Sequence, residues 1–273
     1  MPISLQDKVV FITGASSGIG AEAARYFARE GCIVILTARR MEKLEALARE
    51  ICVAGGQAHP FELDVTDLSQ IQQVVQRVLD RFGHIDILFN NAGFGRLKWL
   101  ESLDPATDID SMIDTDLRGL IQVTRAVLPS MLARRSGHII NNSSVSGLIG
   151  APLYTIYAAT KYGSRGFTEA LRREVAPFGI HVSGLYPGPA ETEFSQHTGG
   201  ASVKKTLKLP GWISMSAAYV ARRTVGLAKR PRRSLIIPWW FHLVIGFDAL
   251  FPGIVDWIVV TAFTRRFHHL KSS

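Results

Sequence analysis

The stretch Lys8-Val9-Val10-Phe11-Ile12-Thr13-Gly14-Ala15-Ser16-Ser17-Gly18-Ile19-Gly20 decides how the rest of the chain is to be folded. Lys8 to Thr13 is a short β-rich apolar run that reads as a strand, and Ile19 to Glu30 reads as a helix. Glycines between them let the backbone turn tightly and approach a pyrophosphate, while the helix N-terminus offers free N–H groups to its oxygens. Gly14, Ser16, Ser17, Gly18, Ile19 and Gly20 are the candidate cofactor contacts of this turn. Such spacings recur by chance in loops, so the turn is informative because it follows an opening strand. Three residues separate its first two glycines, unlike the commoner dinucleotide fingerprint.

Outward from that turn, strands and helices keep alternating. Ile33 to Thr37 reads as a strand and Met41 to Ala54 as an amphipathic helix; a third strand ends near Leu63, and a helix runs from about Leu68 to Phe82. Ile85 to Phe89 is a fourth strand, followed by a helical stretch ending near Arg134. His138 to Asn142, Ile180 to Tyr186 and Ser234 to Ile237 bring the count to about seven. This order predicts an α/β protein: one doubly wound domain, with a parallel sheet covered by helices on both faces. With 273 residues, 47% of them hydrophobic, the chain can fill one large core. The expected division is a dinucleotide-binding and catalytic domain over 1–237, with a substrate lid at about 190–215, and an apolar, basic extension over 238–273.

A second stretch carries the chemistry: Tyr154-Thr155-Ile156-Tyr157-Ala158-Ala159-Thr160-Lys161. Tyr157 and Lys161 are one helical turn apart, so the phenol and the ammonium share a face. A free phenol has a pKa of about 10, too high for acid–base work at neutral pH, and a fixed ammonium beside it is expected to lower that value. Ser144, just past the fifth strand, would hydrogen-bond a substrate oxygen. Alone, Tyr-x-x-x-Lys is an ordinary amphipathic helix face; the motifs around it give it meaning.

Taken together, the glycine turn, Asn90-Asn91-Ala92-Gly93, Ser144, the Tyr157/Lys161 pair and Pro187-Gly188 resemble the short-chain dehydrogenases/reductases. The resemblance spans about residues 5–237 and implies a single Rossmann domain that transfers hydride between NAD(P) and a carbonyl or hydroxyl. It implies that Tyr157 is the general acid/base, that Lys161 lowers its pKa and holds the nicotinamide ribose, and that Ser144 orients the substrate oxygen. It also implies an adenine contact at Asp64-Val65, a cleft wall at Asn91, Ala92 and Gly93, and contacts to the nicotinamide end from Pro187, Gly188, Ala190 and Thr192. One position departs from the family pattern: Asp116 stands where an Asn usually helps hold a proton-relaying water. Asp is similar in shape and accepts hydrogen bonds but cannot donate when ionised, so catalysis is expected to survive.

Cofactor choice turns on the residues after the second strand. An acid there binds a ribose 2′-hydroxyl, whereas Arg accommodates a 2′-phosphate. The chain has Ala38-Arg39-Arg40 and no acid, which favours NADP(H) over NAD(H), the phosphate meeting cations without facing a carboxylate. The substrate is expected to be apolar, a lipid, steroid or aromatic ketone or alcohol. Phe94, Leu97, Trp99, Leu148, Ile149, Leu153 and Tyr186 are candidate walls, and Phe194, Leu207, Leu209, Trp212 and Ile213 a candidate lid lining.

Charge and cysteines narrow the partners. Nine of the 31 Lys and Arg and two of the 23 Asp and Glu fall after residue 219, a net of +7 there against +1 for the rest. A nearly neutral body with a basic tail argues against nucleic acid. Cys32 and Cys52 offer no disulfide framework and suggest reduced thiols in an intracellular, cytoplasmic protein. No signal peptide and no metal site are expected. The tail, Ile236 to Phe247 and then Trp257 to Phe263, is broken by Asp248, Pro252 and Asp256, so it holds no clean run of ~20 apolar residues. Two roles stay open for it: packing in a homodimer or homotetramer, or lying in a membrane surface with Arg232, Arg233, Arg265, Arg266 and Lys271 toward anionic headgroups. A non-catalytic NADP(H)-binding sensor or scaffold is the alternative to an enzyme.

Overall fold

The computed structural model describes residues 2–191 and 214–267. It begins with β1 (Val9–Thr13), α1 (Gly18–Arg29), β2 (Ile33–Ala38), α2 (Met41–Val53), β3 (Gln57–Glu62), α3 (Leu68–Phe82) and β4 (Ile87–Asn90). After a loop come π-helical turns at Pro105–Asp110, the single α-turn α4 (Ser111–Ile113), further π-turns at Asp114–Gly119, and α5 (Leu120–Arg134). Then follow β5 (Gly137–Asn142), α6 (Thr155–Val175), β6 (Ile180–Pro187), β7 (Ala190–Glu191), β8 (Met215–Ser216), α7 (Ala217–Lys229), β9 (Ser234–Ile237), α8 (Phe241–Leu250) and α9 (Pro252–Phe267).

Seven strands form one parallel sheet in the order β3-β2-β1-β4-β5-β6-β9. Strand residues alternate between its two faces, and this sets the layers. Val10 and Ile12 pack with Val34 and Leu36 against α1, α2 and α7, through Phe27, Leu44, Leu47 and Val220. Val9 and Phe11 face the other way and join Ile35, Val74, Val78, Val123, Val127 and Leu171 beneath α3, α5 and α6. The chain runs outward from β1 to β3 and then returns to add β4 on the other side of β1. The strand order therefore reverses between β1 and β4, and the crevice at their C-terminal ends is where a doubly wound sheet receives a ligand.

The doubly wound fold and its seven strands are as expected, and β9 falls at Ser234–Ile237. The helical stretch before Arg134 differs, because it is interrupted by π-turns on both sides of α4. At Gly119, which ends the second set of π-turns, a Cβ would sit 2.8 Å from the Val65 carbonyl oxygen, so the chain passes against the loop after β3 at backbone distance. The short pair β7–β8 is also parallel. Residues 192–213 between its strands, with the expected lid lining Phe194, Leu207, Leu209, Trp212 and Ile213, lie outside the described residues, as does Thr192. Beyond β9, α8 and α9 meet at a bend of 113°. Among the described residues no single helix is long and apolar enough to cross a membrane.

Candidate active site

Local helix geometry places the central pair. Tyr157 and Lys161 lie one turn apart on α6, both buried, with Lys161 Nζ 5.3 Å from the centre of the Tyr157 ring. Ser144 follows β5 and caps the tight turn Val145–Gly147, its hydroxyl accepting from Ser146 N–H at 3.1 Å. It also hydrogen-bonds the Tyr157 phenol, so two hydroxyls from distant segments converge. The loop is pinned to α6 by residues the sequence did not single out. Ser143 Oγ donates to the Lys161 carbonyl at 3.1 Å, Ser164 Oγ donates to Ser143 Oγ at 3.0 Å, and a Cβ at Gly147 would lie 2.6 Å from the Lys161 carbonyl oxygen. Glycine and serine so close before a Tyr-x-x-x-Lys helix are the signal that could have identified them.

Asp116 joins this cluster from the π-turns before α5. It is 0% exposed, its Oδ2 stands 3.0 Å from Lys161 Nζ, and its Oδ1 accepts the Phe94 N–H at 2.9 Å. A Cβ at Gly93 would lie 3.1 Å from both carboxylate oxygens, so glycine lets the Asn91–Gly93 turn close over Asp116. π-turns interrupting an α-helix recur at functional sites, and this one holds the buried acid.

The electrostatics correct one expectation. Burial pushes the Tyr157 phenol up, the Lys161 ammonium pulls it back, Asp116 pushes it up again and the Ser144 hydrogen bond lowers it; the outcome is above the ordinary phenol value. The ammonium does favour the phenolate, but water exclusion and the nearby carboxylate outweigh it. For Lys161, burial lowers the proton affinity while Asp116 and Tyr157 raise it, and the net is upward. Asp116 is itself pushed up by burial, against Lys161 and the Phe94 N–H.

The glycine turn lies beside this cluster at the β1/β4 reversal. Gly14 and Gly18 have φ of 66° and 57°, values that L side chains rarely adopt. A Cβ at Gly20 would overlap the Gly14 carbonyl oxygen, and one at Gly14 would lie 2.8 Å from Ala92 Cα. Asn91 knits the two turns together. Its Nδ2 donates to the Thr13 and Gly14 carbonyls at 3.1 Å each, and the Asn91 and Ala92 N–H groups donate to Thr13 Oγ1 at 2.9 and 3.0 Å. Ile19 is partly buried against the α1 side of the core.

Arg40 crosses the mouth of the turn, Nη2 donating to Ser16 Oγ at 2.9 Å and to Ser17 Oγ at 3.0 Å. Arg39 is largely exposed and lies 3.9 Å from Asp64 Oδ2, so the expectation that no carboxylate faces the arginines is corrected. The acid comes from the loop after β3, which pairing of β2 with β3 brings alongside. Asp64 Oδ1 also accepts from Thr66 N–H at 2.9 Å, and Val65 is buried in the α3/α5 layer. At the far end of the cleft, Pro187 closes β6 and the Gly188 N–H donates to Ile237 O at 2.7 Å. Ala190 pairs with Met215.

Apolar side chains stand next to the hydroxyls. Leu97 and Leu153 are buried with Trp99, Tyr154 and Phe263, and Tyr154 also packs against the group formed by Tyr157, Leu103, Met112 and Phe94. Phe263 of α9 meets Trp99 edge-on, ring centres 5.4 Å apart. Phe263 was not expected from the sequence, since nothing local ties α9 to the loop after β4. Residues 8–201 match the family model described as short chain dehydrogenase. The chain belongs to the short-chain dehydrogenase family. This dehydrogenase is 41% identical over 192 residues to a 3-oxoacyl-[acyl-carrier-protein] reductase, FabG, of Thermotoga maritima, covering 70% of the chain and 78% of that protein. It is 37% identical to dehydrogenase/reductase SDR family member 7 of Homo sapiens over 98% of the chain and 81% of that protein. Among solved structures it resembles an alcohol dehydrogenase from the archaeon Thermococcus sibiricus complexed with 5-hydroxy-NADP. That likeness has a TM-score of 0.76 and 28% identity, over 85% of this chain and 96% of that one. A metagenomic short-chain oxidoreductase in complex with NADP has a TM-score of 0.73 and 31% identity, over 86% and 98%. The dehydrogenase is thus an oxidoreductase built on the family's Rossmann-like sheet.

Proposed function

We propose that the dehydrogenase interconverts a carbonyl and a secondary alcohol on an apolar substrate with NADP(H), Tyr157 acting as general acid/base. The observation that carries this reading is the convergence of Ser144, Tyr157 and Lys161 in one buried cluster beside the β1/β4 crevice. The crevice suits a dinucleotide: Gly14 and Gly18 hold backbone that side chains would strain, and Gly20 leaves room that a Cβ would fill. Gly14 to Gly20 would hold the pyrophosphate, Asp64 and Val65 the adenine, Asn91, Ala92 and Gly93 the wall, and Lys161 the nicotinamide ribose. Pro187, Gly188, Ala190 and Thr192 would meet the carboxamide end. Arg40 over Ser16 and Ser17 favours a 2′-phosphate, and both solved neighbours carry NADP or a derivative of it. When bound, that cofactor supplies or accepts the hydride. Ser144 then hydrogen-bonds the substrate oxygen, Tyr157 gives that oxygen a proton in reduction or takes one in oxidation, and Lys161 keeps a positive charge beside the phenol.

The apolar group of Leu97, Trp99, Leu153 and Tyr154 supports a lipid, steroid or aromatic substrate. Residues 1–237 are the proposed catalytic domain and 238–273 an extension that seats on a membrane surface. Its support is the exposure of Trp239, just before α8, and of Leu243, Leu250 and Trp257 on α8 and α9, each at least 65% exposed. Packing of the same surface in a homodimer or homotetramer is a second role, not exclusive of the first. Oxidation of NADPH is to be followed against hydrophobic ketones with the parent and with Tyr157→Phe. Turnover abolished by the substitution is expected; equal turnover removes Tyr157 as the acid, and tight NADPH binding without turnover favours a non-catalytic sensor or scaffold.

A further inference from the structure

We propose that Asp116 competes with Tyr157 for the Lys161 ammonium and thereby keeps the site in its proton-donating form, a setting for carbonyl reduction. The inference rests on the oxidoreductase reading above and adds a working direction to it. The Asp116 carboxylate is in ion-pair contact with the ammonium at 3.0 Å, while the ammonium stands 5.3 Å from the centre of the Tyr157 ring. The carboxylate cannot swing away, because its other oxygen is held by the Phe94 N–H and Gly93 closes against both oxygens. Bulk solvent does not reach the pair, since Asp116 is fully buried and Lys161 nearly so.

The groups acting on the phenol come from three elements: Lys161 on α6, Asp116 in the π-turns before α5, and Ser144 in the loop after β5. Tyr154, the residue just before α6, adds a neutral phenol with its ring 5.7 Å away. Around them Leu103, Met112 and Phe94 are apolar. An amide at position 116 would leave the full ammonium charge to stabilise a phenolate, the form that oxidation requires. The carboxylate cancels part of that charge and leaves the phenol protonated, the form that reduction requires. In reduction bound NADPH would supply the hydride to the carbonyl carbon and be left as NADP+, while Tyr157 would give its proton to the oxygen; C=O becomes CH–OH, and the phenolate would be reprotonated from solvent. Asp116 touches neither carbon nor oxygen of the substrate in this scheme. It is a positioning residue acting through Lys161.

The test is the pH dependence of kcat/KM in both directions, ketone reduction with NADPH and alcohol oxidation with NADP, for the parent and Asp116→Asn. In the variant the limb belonging to Tyr157 is expected to move toward acid in both directions. Oxidation at neutral pH then rises about tenfold as a fraction of its plateau, tenfold being one pH unit along a limb. A purely structural role would lower both plateaus and leave the limbs in place; superimposed limbs overturn the proposal. Asp116→Ala, neutral and smaller, is expected to move the limbs the same way should the Asn variant fold poorly. Ultraviolet titration of tyrosinate, each protein read against its own Tyr157→Phe partner, needs no turnover and so separates failure of this inference from failure of the enzyme reading. Unchanged titration of Tyr157 in both Asp116 variants sinks the idea.

Discussion

Because Tyr157 is held by packing with Leu103, Met112 and Tyr154 as well as by polar contacts, its ring can stay in place when its hydroxyl is removed. Tyr157→Phe is therefore expected to leave the thermal midpoint within a degree or two while lowering kcat about 100-fold or more, the usual worth of a positioned proton donor. Calorimetry alongside steady-state rates checks both halves. Arg40 gives a second residue-scale expectation. Its guanidinium bridges two serine hydroxyls at the turn, so Arg40→Ala should weaken NADPH binding about tenfold or more and NADH binding little, as measured by fluorescence titration. Equal losses for the two cofactors would move the 2′-phosphate elsewhere, Arg39 beside Asp64 being the next candidate. Ser144 and Lys161 were legible as candidates only because the motifs around them gave their types and spacing meaning. The proton affinity of Tyr157 was not, since it depends on burial and on a carboxylate distant in the chain.

Elements contribute where their ends meet. The β1–α1 turn and the turn after β4 are joined through Thr13 and Asn91, so a substitution in one distorts the other. Gly20→Ala is expected to displace the Gly14 carbonyl and cut NADPH affinity at least tenfold, with a smaller loss of stability, in binding and unfolding measurements on the same sample. At the opposite end of the strands, Asp86 ties β1 and β4 to α5. It accepts from the Val9 N–H at 2.9 Å and meets Lys8 Nζ at 3.2 Å, Arg134 Nη2 at 2.9 Å and His84 Nε2 at 3.1 Å. Burial pushes this carboxyl up, but the Val9 hydrogen bond, Arg134 and Lys8 outweigh it and hold it below the ordinary value. A carboxyl depressed in the fold stabilises at pH values above its unfolded pKa and loses that contribution as pH falls through the folded one. Asp86→Asn should thus cost about 2 kcal/mol near neutral pH, a penalty that disappears in strong acid. Denaturant melts at pH 7 and below pH 3 test this; equal penalties at both would deny the charge a role.

At the scale of the whole molecule, the extension is what distinguishes this chain from a bare Rossmann domain. It is anchored at two points: Phe241 lies where a Cβ on Gly188 would come within 2.6 Å, and Phe263 packs against Trp99. Between those anchors most of its large apolar side chains are exposed, Leu243, Leu250 and Trp257 above all. Replacing the exposed Trp239, Leu250 and Trp257 together by Ser should leave the fold and NADPH binding intact while reducing sedimentation with anionic liposomes several-fold. A fall in subunit number with unchanged liposome binding would instead assign the surface to a partner copy. The contact between Phe263 and the apolar group at Leu153 also means that the extension borders the proposed substrate side of the cleft.

The sequence by itself determined the alternation of strands and helices, the glycine turn after β1 and the placing of Tyr157 and Lys161 on one face. Each of these rests on periodicities and backbone freedoms acting within a few residues. Only the tertiary structure decided that Asp116 pairs with Lys161, that Asp64 stands beside Arg39, that the Tyr157 phenol is pushed up, and that α9 reaches Trp99. Those outcomes are set by distances through space and by the exclusion of water. Neither quantity exists until segments far apart in the chain have packed together.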